Sequence, residues 1–142
     1  MKDLGSGLEQ IARRFGVKEV YAFGSRAKEL SARLRGESYC ITYPESDIDI
    51  GVRIGSGDAL SPSDRVQLSI EIEDLLDACG VDLVIMNEAD PFLAVEIVRG
   101  ELLYTEDLDR QARYELYLLG RAGDLLPFKQ ERIRMILEEK AR

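Results

Sequence analysis

At 142 residues, 45% hydrophobic and 32% charged, the chain has the size and balance of one globular domain and not of a disordered segment. Its net charge of −8 disfavours broad binding to nucleic-acid phosphates, although a local basic site is compatible with it. The absence of histidine removes a Ser-His-Asp triad, a Cys-His pair and any histidine-ligated zinc site, so chemistry here must run on carboxylates, hydroxyls, Lys and Arg.

Residues 4–15 carry Leu4, Leu8, Ile11 and Ala12 at helical spacing, with Glu9, Arg13 and Arg14 elsewhere on the turn, which predicts a short amphipathic helix. Val17 to Phe23 reads as a strand that stops at Gly24-Ser25. Residues 26–45 are mixed and turn-rich, with Gly36, Ser38 and Pro44, and Ser46 to Ile54 is a strand broken by Gly55-Ser56-Gly57-Asp58. Ser61-Pro62-Ser63-Asp64 is a helix start. That helix is expected to send Val66, Ile70, Leu75 and Leu76 to the core and to end near Gly80. Val81 to Met86, apolar on both faces apart from Asp82, reads as a central strand. Pro91 opens a further helix ending near Gly100, and Leu102-Leu103-Tyr104 gives a short edge strand.

From about residue 107 the chain is helical and highly charged, and Pro127 is expected to divide it into two helices. The order of elements predicts an α/β protein: a small mixed sheet flanked by helices, with a C-terminal helical tail. Residues 1–105 are expected to form the main domain and residues 106–142 an extension on it. No apolar run approaches the roughly 20 residues that span a bilayer. Met1 to Gly5 lacks the apolar stretch of a secretory signal, so a cytoplasmic location is expected. Cys40 and Cys79 form no CxxC pair and read as two reduced thiols. Tyr39 and Cys40 are expected to anchor their segment, and Tyr114, Tyr117 and Leu118 to pack within a helix.

Three motifs bear on chemistry. In Ser46-Asp47-Ile48-Asp49-Ile50-Gly51-Val52 the residues alternate, so Ile48, Ile50 and Val52 share the core face while Asp47 and Asp49 share the other, roughly 6–7 Å apart. A divalent cation between two such carboxylates relieves their repulsion, and carboxylates without histidine or paired thiols suit a hard ion such as Mg²⁺. Gly51 continues that face without a side chain, leaving room for a ligand. Asp82 begins an otherwise apolar strand, where an unpaired carboxylate is costly. It is therefore expected at the wet end of the strand, paired, or on a metal. Finally, Gly24-Ser25-Arg26 follows a strand directly. Glycine lets backbone approach a phosphate, serine offers a hydroxyl and an N–H, and Arg26, with Lys28 nearby, can neutralise charge. Each motif alone is also what an ordinary acidic strand face, a strand-start residue or a plain turn would look like.

Taken together, the strand ending in Gly24-Ser25-Arg26-Ala27, the Ser46–Ile50 segment and Val81-Asp82-Leu83-Val84 resemble the polymerase beta-like nucleotidyltransferase superfamily. Over residues 1–104 the chain is most similar to its minimal members, including the adenylyltransferase antitoxins that act beside HEPN toxins. Pro91-Phe92-Leu93 through Val98–Tyr104 resembles the segment that follows the third acid in that group. The resemblance implies that Asp47, Asp49 and Asp82 are catalytic and hold two Mg²⁺ ions. It implies that Gly24, Ser25 and Arg26 bind the nucleoside triphosphate, with ATP as the substrate, and that a HEPN-type toxin is the acceptor, on a tyrosine. A small-molecule nucleotidyltransferase, such as one modifying an aminoglycoside, and a non-catalytic toxin-masking module are the alternatives. The chain departs from the minimal pattern in one place. The 21 residues between Ser25 and Asp47 make a longer connection, the excess lying in residues 28–45.

Overall fold

The computed structural model describes residues 3–40 and 45–141. Helix α1 (Leu4–Phe15) buries Leu8, Ile11 and Ala12, as its periodicity predicts, and leads into strand β1 (Val17–Phe23). Helix α2 (Ala27–Leu34) follows the Gly24-Ser25 turn. Strand β2 (Ile48–Ile54), helix α3 (Pro62–Leu76), strand β3 (Val81–Ile85), a single 3₁₀ turn (Met86–Glu88), helix α4 (Pro91–Val98), strand β4 (Glu101–Thr105) and helix α5 (Leu108–Lys140) complete the chain. The helix starts are capped as their sequences suggest. Ser61 Oγ accepts from the Asp64 N–H, and Asp90 Oδ1 accepts from the N–H groups of Phe92 and Leu93, each ahead of a proline in the first turn.

The four strands form one mixed sheet in the order β3-β2-β1-β4, with β1 antiparallel to β2 and β4, and β2 parallel to β3. The alternation of β2 divides the two faces. Ile48, Ile50, Val52 and Ile54 enter the larger core with Leu8 and Ile11 of α1, Leu30 of α2, and Leu68 and Ile72 of α3. The opposite face of the sheet carries Tyr21 beneath Ala94, Val95 and Ile97 of α4 and Leu118 of α5. Among the described residues no helix is long and apolar enough to cross a membrane. Cys40 and Cys79 are exposed free thiols.

Four expectations are corrected. The stretch read as turn-rich contains α2, whose inward face is partly polar: Glu29 and Ser31 are buried beside Leu30, which disguises its helical periodicity. In α3 the buried row is Leu68, Ile72 and Leu76, while Val66 and Ile70 are exposed. Two apolar rows compete on that helix, and the one facing α1 is buried. β3 is an edge strand, not a central one. Helices can cover both faces of a strand whether or not a second neighbour pairs with it. Lastly, α5 runs unbroken through Pro127. A proline costs an interior helix about 3 kcal/mol, which bends or weakens but does not always end it.

Candidate active site

The sheet brings the three acids to one end. β2 and β3 run parallel, and the register sets Asp49 directly beside Asp82, with Phe23 as its partner on the other side. Asp47 lies just before β2, where the Ile48 N–H donates to the Gly80 carbonyl at 3.0 Å and ties the strand starts together. Ile48 and Ile50 are buried on the reverse face, so the alternation read from the sequence is the observed one.

Two glycines make room for the carboxylates. A Cβ at Gly80 would sit 2.5 Å from Asp47 Oδ1, and one at Gly24 would collide with the Asp49 carboxylate, 3.2 Å from its Cγ. Gly24 also has φ 77°, a left-handed backbone that glycine adopts without cost. The turn that ends β1 therefore lies against the Asp49 carboxylate, with exposed Ser25 next in the chain. Partial burial raises the pKa of Asp49, and the charges of Asp82 and Asp47 raise it further.

Arg26 is engaged elsewhere than on the acids. Its Nε and Nη2 donate to the Glu29 carboxylate at 2.9 and 2.7 Å, and its Nη1 donates to the Ser46 carbonyl at 3.0 Å. Both partners of the ion pair are more than nine-tenths buried. The guanidinium expected beside a phosphate is instead committed to fastening α2 to the residue that precedes Asp47. The sequence signal was the i,i+3 spacing of Arg26 and Glu29, which has meaning only once residues 27–34 are a helix. Lys28 is exposed on the outer side of α2.

Further along that face the side chains are engaged with one another. Where Gly51 was expected to leave room for a ligand, a Cβ would meet Ile97 Cγ2 at 2.5 Å, because α4 packs over it. Further along β2, Arg53 donates to the buried Glu19 carboxylate at 2.5 Å and lies over the Tyr114 ring, 4.7 Å from its centre. Tyr21 donates to Glu115 at 3.1 Å and accepts from Gln111 at 3.0 Å, tying the first turns of α5 to β1. The acids and the glycine-serine turn are thus gathered at one end of the sheet, which holds Gly24, Ser25, Asp47, Asp49 and Asp82.

The domain described as Polymerase beta, Nucleotidyltransferase matches residues 7–109, spanning all four strands and every motif just placed. The chain belongs to the polymerase beta nucleotidyltransferase family. Solved structures share the fold of this nucleotidyltransferase. A chain in the crystal structure of a toxin–antitoxin with AMP-PNP superposes with a TM-score of 0.71 at 20% identity, covering 94% of this chain and 98% of that one. A chain in the complex of tri-AMPylated Shewanella oneidensis HEPN toxin with MNT antitoxin gives 0.66 at 20% identity, covering 94% and 96%. A further Shewanella oneidensis chain gives 0.67 at 19% identity, covering 96% and 98%. No curated protein sequence matches the chain.

Among the described residues no three His, Cys, Asp or Glu side chains are grouped so that they could hold a metal ion as they stand. The donor set nevertheless fits a hard cation. Its carboxylates supply only oxygen ligands, and bound positive charge would offset both the burial and the repulsion by Asp82 and Asp47 that raise the Asp49 pKa.

Proposed function

We propose that this nucleotidyltransferase transfers AMP from Mg-ATP to a tyrosine hydroxyl of a HEPN toxin and acts as its antitoxin. The observation that carries the transferase reading is the contact of Gly24 with the Asp49 carboxylate, beside Asp82 across the β2–β3 pair. It puts a backbone turn able to receive phosphate oxygens against the acids able to receive cations. The AMP-PNP and AMPylated-toxin structures that share the fold support adenylyl transfer to a toxin as the reaction.

In this reading Asp47, Asp49 and Asp82 would hold two Mg²⁺ ions, which would neutralise the phosphates and stabilise the entering and leaving oxygens. The Gly24 and Ser25 N–H groups and the Ser25 hydroxyl orient the triphosphate. Asp82, at the exposed end of β3, orients the acceptor hydroxyl and draws its proton as the oxygen attacks. The new bond joins that oxygen to the α-phosphorus, the bond from the α-phosphorus to the bridging oxygen breaks, and pyrophosphate leaves. Arg26 acts at one remove, holding the Ser46 carbonyl and with it the approach to Asp47. Residues 1–105 form the catalytic unit in this reading, and residues 106–142 extend it.

Co-expression with a HEPN toxin, followed by intact-mass measurement of the toxin, tests the proposal. Additions of one AMP each, absent with Asp47→Ala, are expected. A toxin that binds and silences without gaining mass would make the chain a masking module. A toxin that neither binds nor changes would return a small-molecule acceptor to first place.

A further inference from the structure

The two halves of α5 live in different surroundings. Gln111 and Leu118 are buried on the sheet and α4, and Lys129 Nζ lies over the Phe92 ring, 4.1 Å from its centre. Beyond that contact every residue to Ala141 is exposed. This exposed length is not an ordinary solvated helix. Leu119, Leu126, Ile133 and Leu137 recur at spacings of seven, seven and four and fall on one stripe, beside Ile136, and all are exposed. The stripe begins in a groove of about 360 Å³ that Leu119 and Leu126 form with Phe92 and Val95 of α4. On the polar side of the helix Arg134 pairs with Glu131 and Glu138. The match to the family domain ends at residue 109, ahead of this rib.

Charge indicates what kind of surface covers the rib. Residues 1–107 carry eleven Lys and Arg against twenty-one Asp and Glu, whereas residues 108–142 carry eight against six. Pairing two copies through α5 would bring two strongly acidic bodies together, which long-range repulsion opposes. Lys129, Arg132 and Lys140 complement carboxylates instead.

Resting on the function proposed above, we propose that the distal half of α5 is the docking rib for the acceptor toxin. It engages an apolar helical stripe of that partner flanked by carboxylates, in the helix-in-groove manner. Docking there leaves the acidic end of the sheet free for the acceptor hydroxyl.

The experiment compares the full chain with a Leu126→Glu/Ile133→Glu variant and a milder Lys129→Glu/Arg132→Glu variant, using a purified HEPN toxin as the probe. The apolar variant is expected to weaken toxin binding by roughly 100-fold or more, because truncation at the centre of an interface has effects of that size. The charge variant should weaken it less and remove most of its salt dependence. Both should keep Mg-ATP affinity within about twofold, since neither touches the site. Unchanged toxin affinity in both variants, with modification intact, would overturn the docking rib and leave the transferase reading standing. A toxin that binds through the rib but is never modified would overturn the transferase reading and leave the rib standing. An α5-mediated dimer of the isolated chain that the toxin does not displace would also overturn the rib.

Discussion

The Asp49 carboxylate fills the space that a Cβ on Gly24 would occupy, so the turn that ends one strand and the acid near the start of its neighbour form a single unit. Gly24→Ala should therefore have two separable effects. The left-handed backbone at φ 77° costs an alanine about 1 kcal/mol, and the methyl group also displaces Asp49. Gly57 provides the control: its φ is 82° and a Cβ there meets nothing within 4 Å. Gly24→Ala and Gly57→Ala should lose similar stability in urea titrations. Only Gly24→Ala should lose Mg-ATP affinity by calorimetry, and equal nucleotide affinity in the two would detach the turn from the site.

Asp49 itself trades stability for function. Its folded pKa is raised above the ordinary carboxylate value by burial, then by Asp82 and Asp47. A raised folded pKa means that its favourable contribution is complete at acid pH, below the unfolded value, and is lost as pH rises through the folded one. At neutral pH the charge is thus a liability. Asp49→Asn should melt higher than the parent chain at pH 7 without divalent metal, and the gap should close near pH 3. Adding Mg²⁺ should raise the melting temperature of the parent and leave the variant where it was. Transfer activity should be lost. A variant less stable than the parent at pH 7 would mean that the carboxylate is already compensated by protein groups.

Arg26 and Glu29 form a buried pair in which each charge depends on the other. Arg26→Ala strands the Glu29 carboxylate and should cost about 3–5 kcal/mol, visible as an earlier urea midpoint. Arg26→Met with Glu29→Met removes both charges and should recover most of that loss. Transfer should remain slow in the double variant, because the Arg26 hydrogen bond to the Ser46 carbonyl, beside Asp47, is then lost. Full recovery of rate together with stability would show that the Ser46 anchor is dispensable.

These residues also show what the sequence made legible. β2 was readable because strict alternation of Ile48, Ile50, Val52 and Ile54 has one solution when that face is buried, and the same alternation put Asp47 and Asp49 on the face away from the larger core. Arg26 was misread because its role depends on α2, and α2 hides its periodicity behind a buried Glu29 and Ser31. The neighbours of a strand are likewise tertiary information, so an apolar β3 could not announce that it lies at an edge. Gly51 looked vacant for the same reason, since nothing local to β2 says that Ile97 of α4 will fill the space.

The join between α5 and the sheet should appear in the alkaline limb of stability. Burial pushes the Tyr114 hydroxyl up to about 12, with Arg53 opposing and Glu19 reinforcing the shift, and burial raises Tyr21 as well. Both phenols hold their protons more tightly folded than unfolded, where the ordinary value is 10.0. Stability from these groups is therefore complete below about pH 10 and falls as pH rises from there through the folded values. The slope for one such group is at most about 1.4 kcal/mol per pH unit, and less for Tyr114, whose ring is only partly buried and partly screened by solvent. Tyr114→Phe keeps the ring beneath the Arg53 guanidinium, 4.7 Å from its centre in the parent, and removes only the titrating oxygen. Urea midpoints measured between pH 8 and pH 11 should fall less steeply for the variant, and the two chains should agree at pH 8. Parallel curves over the whole range would mean that α5 has already left the sheet before Tyr114 ionises.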